Sequence, residues 1–595
     1  MLEPKSMRVL HDAIRPPLGF ELEHLVVTTF TLDLVSLLSV PLAFTWFGAH
    51  GETDAAAREP LELLAAVARS AQRITVFHQG GQVTVPAKHG GLLPLVEDSV
   101  VAVPGVRVRA LFHPKLWVAA YIGDDGARRY RLLCLSRNLT PDRSWDTILT
   151  LEGTPTGEEQ SASRPVADFL TWLADTPALA SEREGVIRDL ARGIAGTSFT
   201  PPEPFTQLRF HPMGIPGYGD HPITSARRDR LLVVSPFVGA DQMTTLAEGT
   251  SETLLVSRPE ELGRFGGALP AGVTKAFRLD EALEPEPDDD IATRLLSGLH
   301  TKLFVADQGW FATTWTGSAN ATDAAFVANV EFMTELTGRK NKCGIDAVLG
   351  DGSADTLRAM LVECAELPEA PADDEEQRAL DALARQVADW PLEVSVAEEP
   401  EGFLLSLGWN GRPPSAIDAI VTVRPVAWQR PPGYLGAEMA LPTFDGLRAH
   451  EVSSLFVVEI TLPHVPSASR RFVASWPLVG AVPDRVKALL QELARDRDRV
   501  FAFIRMFLAF DDGTPTAAAS TTAAGAAAKW RAGSQGDTPI LELLLQTLTR
   551  EPARLAELAQ WMPELSARAD GNTESSDDLM SIWEPVWQAH QEIHG

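Results

Sequence analysis

The chain has 595 residues, with 52 Lys and Arg against 80 Asp and Glu, which gives a formal net charge of -28 at pH 7. Hydrophobic residues make up 45% and charged residues 22%, so the composition is that of a packed globular protein and excludes a wholly disordered chain. The length predicts several domains, and the acidic balance argues against a protein that coats nucleic acid over its whole surface.

The first 365 residues alternate short apolar strands with helical stretches, which predicts an α/β fold. The strand pattern Leu25–Phe30 recurs as Leu232–Phe237, and the strand Ile74–Phe77 has a counterpart in Leu254–Ser257. Each half then carries a His-x-Lys tripeptide followed by a Ser-x-Asn tripeptide, in the same order. The sequence therefore predicts an internal duplication folded around a pseudo-twofold axis.

The character of the chain changes after residue 365. Residues 351–400 hold 3 basic against 14 acidic side chains, which favours a solvated helix and linker. Alternating apolar segments between Leu392 and Ser475 then predict a small β-sandwich. The predicted organisation is two α/β halves at 1–200 and 201–365, an acidic helix or linker at 366–390, a β-rich domain at 391–483, and a helical C-terminal region at 484–595 with a low-complexity linker at 514–528.

Nothing in the sequence predicts a disulfide framework, a cysteine zinc site or a targeting segment. Cys134, Cys343 and Cys364 are far apart and form no CxxC pair. The longest apolar run, Leu34–Phe47, is interrupted by Pro41 and is shorter than the roughly 20 residues that span a bilayer. We expect a cytoplasmic protein with no integral membrane contact.

Two pairs of tripeptides carry the predicted chemistry. The first half contains His113–Lys115 and then Ser136–Asn138, and the second half contains His300–Lys302 and then Ser318–Asn320. On a strand, residues i and i+2 point to the same face, so each His and Lys pair faces one pocket. If the two halves pack together, the pocket gains two imidazoles, two ammonium groups and two amides.

Such a pocket suits a phosphate. The lysines and the amides of Asn138 and Asn320 would donate to the non-bridging oxygens, while one histidine attacks phosphorus and the other protonates the leaving oxygen. No metal or other cofactor is expected, because the lysines supply the positive charge. Each histidine also requires a carboxylate to orient its ring, for which Asp146 and Glu331 are the candidates.

These paired motifs resemble those of the phospholipase D superfamily, whose signature is His-x-Lys, four residues, Asp, and then Gly-Ser-x-Asn. The second copy matches in full, including Asp307 and Gly317, whereas the first has Ala120 in place of the Asp and Leu135 in place of the Gly. The tyrosyl-DNA phosphodiesterases of that superfamily also lack the first Asp, and the first copy is similar to theirs and to those of uncharacterised bacterial nucleases of the superfamily. The resemblance covers about residues 20 to 340.

The resemblance implies a duplicated phospholipase-D-like fold and a phosphohistidine intermediate. By analogy with the tyrosyl-DNA phosphodiesterases, His113 is assigned as nucleophile and His300 as general acid, although the sequence alone leaves the two interchangeable. The implied catalytic residues are His113, Lys115, Asn138, His300, Lys302 and Asn320. The implied supporting residues are Ser136, Asp146, Asp307, Ser318 and Glu331.

A local basic neighbourhood predicts a polyanionic substrate. Residues 101–150 hold 8 basic against 4 acidic side chains, among which Arg137 and Arg143 are the candidate substrate contacts. Trp117, Tyr130 and Trp145 are candidates for base stacking, the alternative being an ordinary arginine hairpin with tryptophans in the core.

We therefore predict a DNA nuclease or DNA-end-processing enzyme, which the resemblance to bacterial superfamily members places among phage-defence systems, with a helicase or ATPase partner and a homo-oligomer left open. The alternatives are a phospholipase or phosphatidyl transferase and a non-catalytic subunit that binds phosphate or nucleic acid.

Overall fold

A computed structural model gives the positions of most of the chain. It describes residues 10–49, 67–86, 93–105, 110–141, 144–280, 298–353, 356–370, 375–480 and 583–591, with isolated positions at 482, 485, 488, 544, 548, 555 and 559. The predicted linker 514–528 and most of the predicted helical region 484–595 lie outside the described residues, although 583–591 is helical as expected.

A seven-stranded mixed sheet forms the first half. Its strands are β1 (Phe20–Thr29), β3 (Ile74–Gln79), β5 (Val100–Val103), β6 (Leu116–Gly123), β7 (Arg128–Leu135), β8 (Ile148–Pro155) and β9 (Thr197–Phe199). The spatial order is β5-β3-β1-β6-β7-β8-β9, with β1, β3 and β5 parallel and the following strands antiparallel. A separate two-stranded ladder joins β2 (Leu32–Asp33) and β4 (Val83–Thr84).

An eight-stranded mixed sheet forms the second half. Its strands are β10 (Phe205–Met213), β11 (Arg230–Val234), β12 (Glu252–Val256), β13 (Lys275–Leu279), β14 (Leu303–Gln308), β15 (Phe311–Gly317), β16 (Glu331–Arg339) and β17 (Leu361–Glu363). The spatial order is β10-β16-β15-β14-β11-β12-β13-β17.

The two sheets share one topology. The run β5-β3-β1-β6-β7-β8 corresponds strand for strand to β13-β12-β11-β14-β15-β16, with three parallel strands followed by three antiparallel ones in each. The repeated sequences found at Leu25 and Leu232 form the central strands β1 and β11. Equal strand order is what an internal duplication predicts.

The halves also share a core. Val330 and Phe332 of the second half are buried with Phe112 and Phe169 of the first, and the Phe169 and Phe332 rings lie 5.3 Å apart. Burying aromatic rings between the halves removes a large apolar area from water, which holds the two halves together.

Helices cover the sheets and their connections. The α-helices are Leu10–Ala13, Leu34–Ala49, 67–72, Arg164–Ala174, Ser181–Ala195, Ala240–Ala247, Pro259–Gly263, Lys340–Cys343, Ile345–Leu349, Glu375–Ala388 and 583–591, and a π-helical turn spans Ala324–Ala328. The apolar run predicted to be too short for a membrane span lies within the 16-residue helix Leu34–Ala49, and none of the described helices is long and apolar enough to cross a membrane.

Two four-stranded sheets follow the α/β halves. Their strands are β18 (Leu392–Glu399), β19 (Gly402–Trp409), β20 (Ile420–Pro425), β21 (Gly433–Tyr434), β22 (Thr443–Leu447), β23 (Leu455–Leu462), β24 (Val465–Ser475) and β25 (Leu478–Val479). The strand order is β22-β19-β18-β25 in one sheet and β21-β20-β23-β24 in the other, and the two sheets share one hydrophobic core. The strand-like segments of the sequence, Leu392–Val396, Gly402–Gly408, Ala419–Val423, Ser454–Leu462 and Arg471–Ser475, overlap β18, β19, β20, β23 and β24, with ends that differ by up to six residues.

The acidic stretch differs from the expectation of a solvated helix. The helix Glu375–Ala388 buries Leu380, Ala384 and Val387 in the core of the β-rich region. The spacing of four and three residues places these three side chains on one face, so the acidic residues occupy only the other face.

Candidate active site

The two His-x-Lys tripeptides lie at equivalent places in the two sheets. His113–Lys115 immediately precedes β6, and His300–Lys302 immediately precedes β14. Each tripeptide is an extended segment that leads into its strand but is not part of it, because its backbone forms hydrogen bonds with the opposite half of the chain. The His113 N–H donates to Val330 O at 2.9 Å, and the His300 N–H donates to Trp145 O at 2.9 Å.

The Ser-x-Asn tripeptides lie just beyond the neighbouring strands. Ser136 follows β7 and Ser318 follows β15, and both serines are fully buried. Gly317, which precedes Ser318, has φ +149°, and a Cβ there would lie 2.2 Å from Phe332 O. The second copy therefore requires the glycine of its motif, whereas the first copy has Leu135 at the end of β7.

The first histidine is oriented by a carboxylate from the other half. His113 Nδ1 lies 2.9 Å from Glu331 Oε2, and Ser318 Oγ donates to the same oxygen at 2.5 Å. Asn329 Nδ2 donates to Glu331 Oε1 at 3.3 Å. Because Glu331 is fully buried, these three donors replace the water that its carboxylate has lost.

The second histidine has the mirror arrangement. His300 Nδ1 lies 3.1 Å from Asp146 Oδ1, and Ser136 Oγ donates to that oxygen at 3.0 Å. Ser136 Oγ also accepts from Thr147 N at 2.8 Å. Each serine of the motifs is therefore a support for a carboxylate.

The carboxylates are exchanged between the halves. Glu331 of the second half holds His113 of the first, and Asp146 of the first half holds His300 of the second. The sequence identified both carboxylates but gave no indication of this exchange, because it depends on which loop lies across from each histidine. Neither half contains a complete histidine site on its own.

The two lysines lie behind the histidines and are fully buried. Lys115 Nζ lies 2.9 Å from His113 Nε2 and 3.1 Å from His113 O. Lys302 Nζ donates to His300 O at 2.7 Å and to Ser136 O at 3.4 Å. The two lysines are therefore placed differently, since only Lys115 reaches an imidazole nitrogen.

Burial and mutual charge shift the titration of this cluster. Burial, with the charges of Lys115 and Lys302, lowers the pKa of His113 to about 4, against the opposing effect of Glu331. Burial lowers the pKa of Lys115 to about 7. Burial and Lys115 hold the pKa of Lys302 well below its ordinary value.

The two carboxylates differ from each other. Burial raises the pKa of Asp146 above its usual value, although Arg137 and Lys302 act against the shift. Burial also acts to raise the pKa of Glu331, but His113, Lys115 and Ser318 outweigh it, and the net pKa is lowered. The surroundings thus favour the anion of Glu331 and disfavour the anion of Asp146.

The asparagines of the motifs border the cluster. Asn138 Oδ1 accepts from Phe30 N at 3.3 Å, which turns its amide NH2 away from Phe30. Asn320 Oδ1 is buried and has no hydrogen-bond partner within the described part of the chain. Asn329, which sequence reasoning did not include, also accepts from Leu111 N at 3.1 Å and so braces the loop that carries Glu331.

Other predicted residues are not brought to the cluster in the same way. Asp307 lies at the far end of β14, where it accepts from Ile345 N at 3.2 Å and lies 3.5 Å from Arg230. Arg137 donates to Thr140 O at 2.8 Å, and its charge acts on Asp146. Arg143 lies outside the described residues.

Most of the predicted basic and aromatic neighbourhood has a structural role instead. Arg128 pairs with Glu23 at 2.5 Å, and Arg131 pairs with Glu152 at 2.6 Å. Trp117 and Tyr130, the proposed stacking residues, are 2% and 5% exposed and belong to the core. For Trp117 and Tyr130 the structure therefore agrees with the alternative, an arginine hairpin with these aromatic residues in the core, because a β-hairpin directs alternate residues into the core. Arg107 and Arg109 lie outside the described residues.

Aromatic residues at the ends of β1 and β11 were missed as site residues. The Phe30 ring lies 5.0 Å from the His113 ring. Its counterpart in the repeat, Phe237, is 41% exposed, and the Arg258 guanidinium lies 5.3 Å from its ring centroid. Arg258 Nε donates to Leu299 O, next to His300, at 2.7 Å. The repeated strand pattern, which ends in Phe in both copies, was the signal that could have identified them.

Within the described residues, no group of three or more His, Cys, Asp or Glu side chains is arranged to hold a metal ion. No model of a known protein family matches the chain, and no curated protein matches it at a significant level.

Solved structures do show similarity. One is yeast tyrosyl-DNA phosphodiesterase, with 10% sequence identity and a TM-score of 0.31 over 55% of this chain and 85% of that chain. Another is polyphosphate kinase from Porphyromonas gingivalis, with 14% identity and a TM-score of 0.30 over 63% of this chain and half of the kinase. Both are members of the phospholipase D superfamily, the family whose paired motifs this sequence resembles.

Proposed function

We propose that this chain is a phospholipase-D-like phosphodiesterase that acts through a phosphohistidine intermediate without a metal ion, and that its substrate is DNA. One observation carries the proposal: two histidines, each oriented by a buried carboxylate from the opposite half, lie with two buried lysines in one electrostatically coupled cluster.

The hydrogen bonds of His113 favour it as the nucleophile. Its Nδ1 faces the Glu331 carboxylate, which only accepts, so Nδ1 carries the proton. Its Nε2 faces Lys115 Nζ, an ammonium donor when charged, so Nε2 carries the lone pair. The low pKa of His113 keeps that lone pair available, and a phosphate that enters would take the place of Nε2 as the partner of Lys115.

His300 then acts as general acid. In the first step the Nε2–P bond forms, the bond from phosphorus to the leaving oxygen breaks, and His300 gives its proton to that oxygen. In the second step a water gives its proton to His300 while its oxygen attacks phosphorus, which breaks the Nε2–P bond and restores both histidines. Asp146 Oδ1 lies 3.1 Å from His300 Nδ1, so its carboxylate orients this imidazole and stabilises its protonated form.

The lysines stabilise the charge that develops on phosphorus. Lys115 and Lys302 are fully buried, so an anion at this place interacts with them through little water. Burial lowers the pKa of both lysines, and repulsion from Lys115 adds to the lowering of the Lys302 pKa. A bound phosphate would relieve that repulsion and restore the charge of both lysines, which is why two adjacent ammonium groups suit this ligand.

The proposal of DNA is supported by side chains at the edge of the cluster. Arg137 lies beside Asp146, and Phe237 with Arg258 presents an exposed ring and a cation next to His300. A cation and an aromatic ring next to a phosphate site suit a nucleotide, whose base stacks while its phosphate is bound. A role in phage defence with a helicase or ATPase partner follows only from the resemblance to bacterial superfamily members.

The test is a panel of labelled DNA, RNA and phosphatidylcholine incubated with the protein in EDTA. We expect cleavage of DNA that survives the chelator and is lost in His113→Ala and His300→Ala. The matched control is His211→Ala, because His211 also pairs with a carboxylate, Glu335, at 3.0 Å but on β10, outside the cluster. Turnover of phospholipid alone would contradict the DNA assignment, and cleavage unchanged in both histidine variants would contradict the mechanism.

A further inference from the structure

The turn between β14 and β15 exposes a tryptophan. Trp310 is 81% exposed, and Phe311 beside it is 46% exposed. Gly309 turns the chain at φ +54°, so the two aromatic residues stand at the end of a tight hairpin. An indole in water forgoes the free energy that burial of so large an apolar group would gain, so its exposure calls for a binding explanation.

Cations lie opposite these rings on β16. Phe311 pairs with Arg339 across the strands, and the Arg339 guanidinium lies 4.8 Å from the Phe311 ring centroid. Lys340 N donates to Trp310 O at 3.1 Å, and Lys342 follows in the helix Lys340–Cys343. Arg339, Lys340 and Lys342 are all exposed. We call these five residues the hairpin patch.

The charge of the hairpin patch is not balanced locally. In the described part of the chain, none of its three cations forms an ion pair with a carboxylate. Carboxylates around it have other partners: Asp229 accepts from Gly309 N at 2.8 Å, Glu335 binds His211 and Trp315 at 3.0 Å each, and Asp346 lies 3.1 Å from Arg230. Asp307, which the Lys340 charge also reaches, is buried. In a chain of net charge -28, an uncompensated positive patch is a place that attracts anions.

Exposed rings next to uncompensated cations match the requirements of one ligand class. Bases of single-stranded nucleic acid stack on aromatic side chains, and their phosphates contact neighbouring lysines and arginines. A duplex hides its base faces, and an apolar protein partner would leave the three cations without partners. Charge complementarity therefore favours a single strand.

The hairpin patch is separate from the histidine cluster. Lys302 lies at the start of β14 and the patch at its end, so the six residues of the strand set a separation of roughly 20 Å at about 3.3 Å per residue. A single strand of several nucleotides is needed to span it.

We propose that the hairpin patch is a second binding site, which holds single-stranded DNA several nucleotides away from the phosphate that the histidines act on. This inference goes beyond the proposed function, because it concerns binding and does not require turnover.

The experiment measures the anisotropy of a labelled 20-nucleotide DNA strand with the full chain carrying His113→Ala, so that the strand stays intact. Trp310→Ala should weaken binding at least about five-fold, and Trp310→Phe should retain it to within about two-fold, since stacking of one base is lost in the first variant only. Lys340→Gln with Lys342→Gln should make the slope of log K against log salt shallower by about 1.4, at about 0.7 per phosphate contact.

Matched controls separate the patch from general effects. Tyr434→Ala removes an aromatic residue that is 60% exposed in the β-rich region, and Lys275→Gln removes a surface charge on β13; both should bind like the parent. Binding of a 20-base-pair duplex should be insensitive to Trp310→Ala. If Trp310→Ala and the double lysine variant both bind the single strand like the parent, the inference is wrong.

The two proposals fail separately. Thymidine p-nitrophenyl phosphate is too short to reach the hairpin patch, so its hydrolysis tests the histidine cluster alone and should be unchanged in Trp310→Ala. Patch-dependent binding in a chain that does not hydrolyse this ester would support the patch and contradict the proposed function. Hydrolysis of this ester by a chain whose DNA binding does not depend on the hairpin patch would support the proposed function and contradict the patch.

Discussion

Replacing Glu331 with Gln isolates the electrostatic part of the first histidine site. The amide has the shape of the carboxylate, so the bonds from His113 at 2.9 Å, Ser318 at 2.5 Å and Asn329 at 3.3 Å have the same space. What changes is that one oxygen becomes a donor. The NH2 group then faces either Asn329 Nδ2 or both His113 Nδ1 and Ser318 Oγ, and in the second orientation Nδ1 can accept from it only by moving its proton to Nε2.

That proton move would block the nucleophile. The lone pair needed for attack on phosphorus would lie on Nδ1, which is buried against residue 331. Loss of a charge-assisted hydrogen bond costs about 1.5–3 kcal/mol, which corresponds to about a 10- to 150-fold fall in kcat. The tautomer change adds to this, and the wrong tautomer in the serine protease triad costs about 10⁴. We therefore expect kcat to fall by between about 10-fold, if only the charge is lost, and about 10⁴-fold, if the tautomer also changes.

The assay is the release of p-nitrophenol from thymidine p-nitrophenyl phosphate, with the melting temperature measured beside it. Glu335→Gln is the matched control, because Glu335 also lies on β16 and also binds a histidine, His211, at 3.0 Å. It should leave kcat unchanged while disturbing the same strand. If Glu331→Gln keeps more than about a tenth of the parent kcat and melts normally, the assigned tautomer of His113 is wrong.

Four further predictions follow from the same structure. The pKa of His113, lowered to about 4, keeps the nucleophile neutral in mild acid, so the acid limb of the kcat/KM profile should lie near pH 4. An acid limb at the ordinary histidine pKa of 6.5 would contradict this prediction. Because the pKa of Lys115 is lowered to about 7, the free enzyme loses this charge as the pH rises through 7, and kcat/KM should fall there. Lys115→Arg should move this alkaline limb to higher pH. Ser318→Ala should lower kcat about five- to ten-fold, because Glu331 and Phe332 N each lose a hydrogen-bond partner worth about 1 kcal/mol; unchanged kinetics would show that the serine is not a support. Glu97→Ala should lower the free energy of unfolding by about 3–5 kcal/mol in urea titrations, because buried Glu97 accepts from Ser453 Oγ at 2.6 Å and joins the first sheet to the β-rich region, whereas a loss under 1 kcal/mol would argue against that link.

The sequence motifs predict the residues of the candidate site. Spacing of two residues put His113 with Lys115 and His300 with Lys302, and both pairs lie together in the structure. The position of the tripeptides at strand ends also follows from their sequences, because apolar runs such as Leu303–Val305 begin only after the lysine.

The sequence patterns did not predict the contacts between distant parts of the chain. The exchange of Glu331 and Asp146 between the halves depends on the loops that face each histidine, and 218 residues separate His113 from Glu331. Charge counting was misleading for a related reason. It treated Arg128 and Arg131 as available to substrate, whereas each lies across a strand from its own glutamate.

Asp307 shows how a motif can mix two roles. It belongs to the signature that the second copy matches, yet it lies at the end of β14 opposite to Lys302 and holds Ile345 N and Arg230. Because Asp307 supports the end of β14 that is opposite to Lys302, its role does not require an equivalent Asp in the first half. The equivalent position there is Ala120, which is buried in the core on β6.

The central claim is that phosphorus becomes bound to His113, and trapping that bond tests it most directly. Thymidine p-nitrophenyl phosphate has a leaving group that needs no general acid, so His300→Ala should form the intermediate and then hydrolyse it slowly. We expect a burst of one nitrophenol per chain in EDTA and a thymidylyl group that mass spectrometry maps to the peptide carrying His113. A group mapped to His300 in the parent chain, or no covalent adduct while turnover continues, would contradict the account.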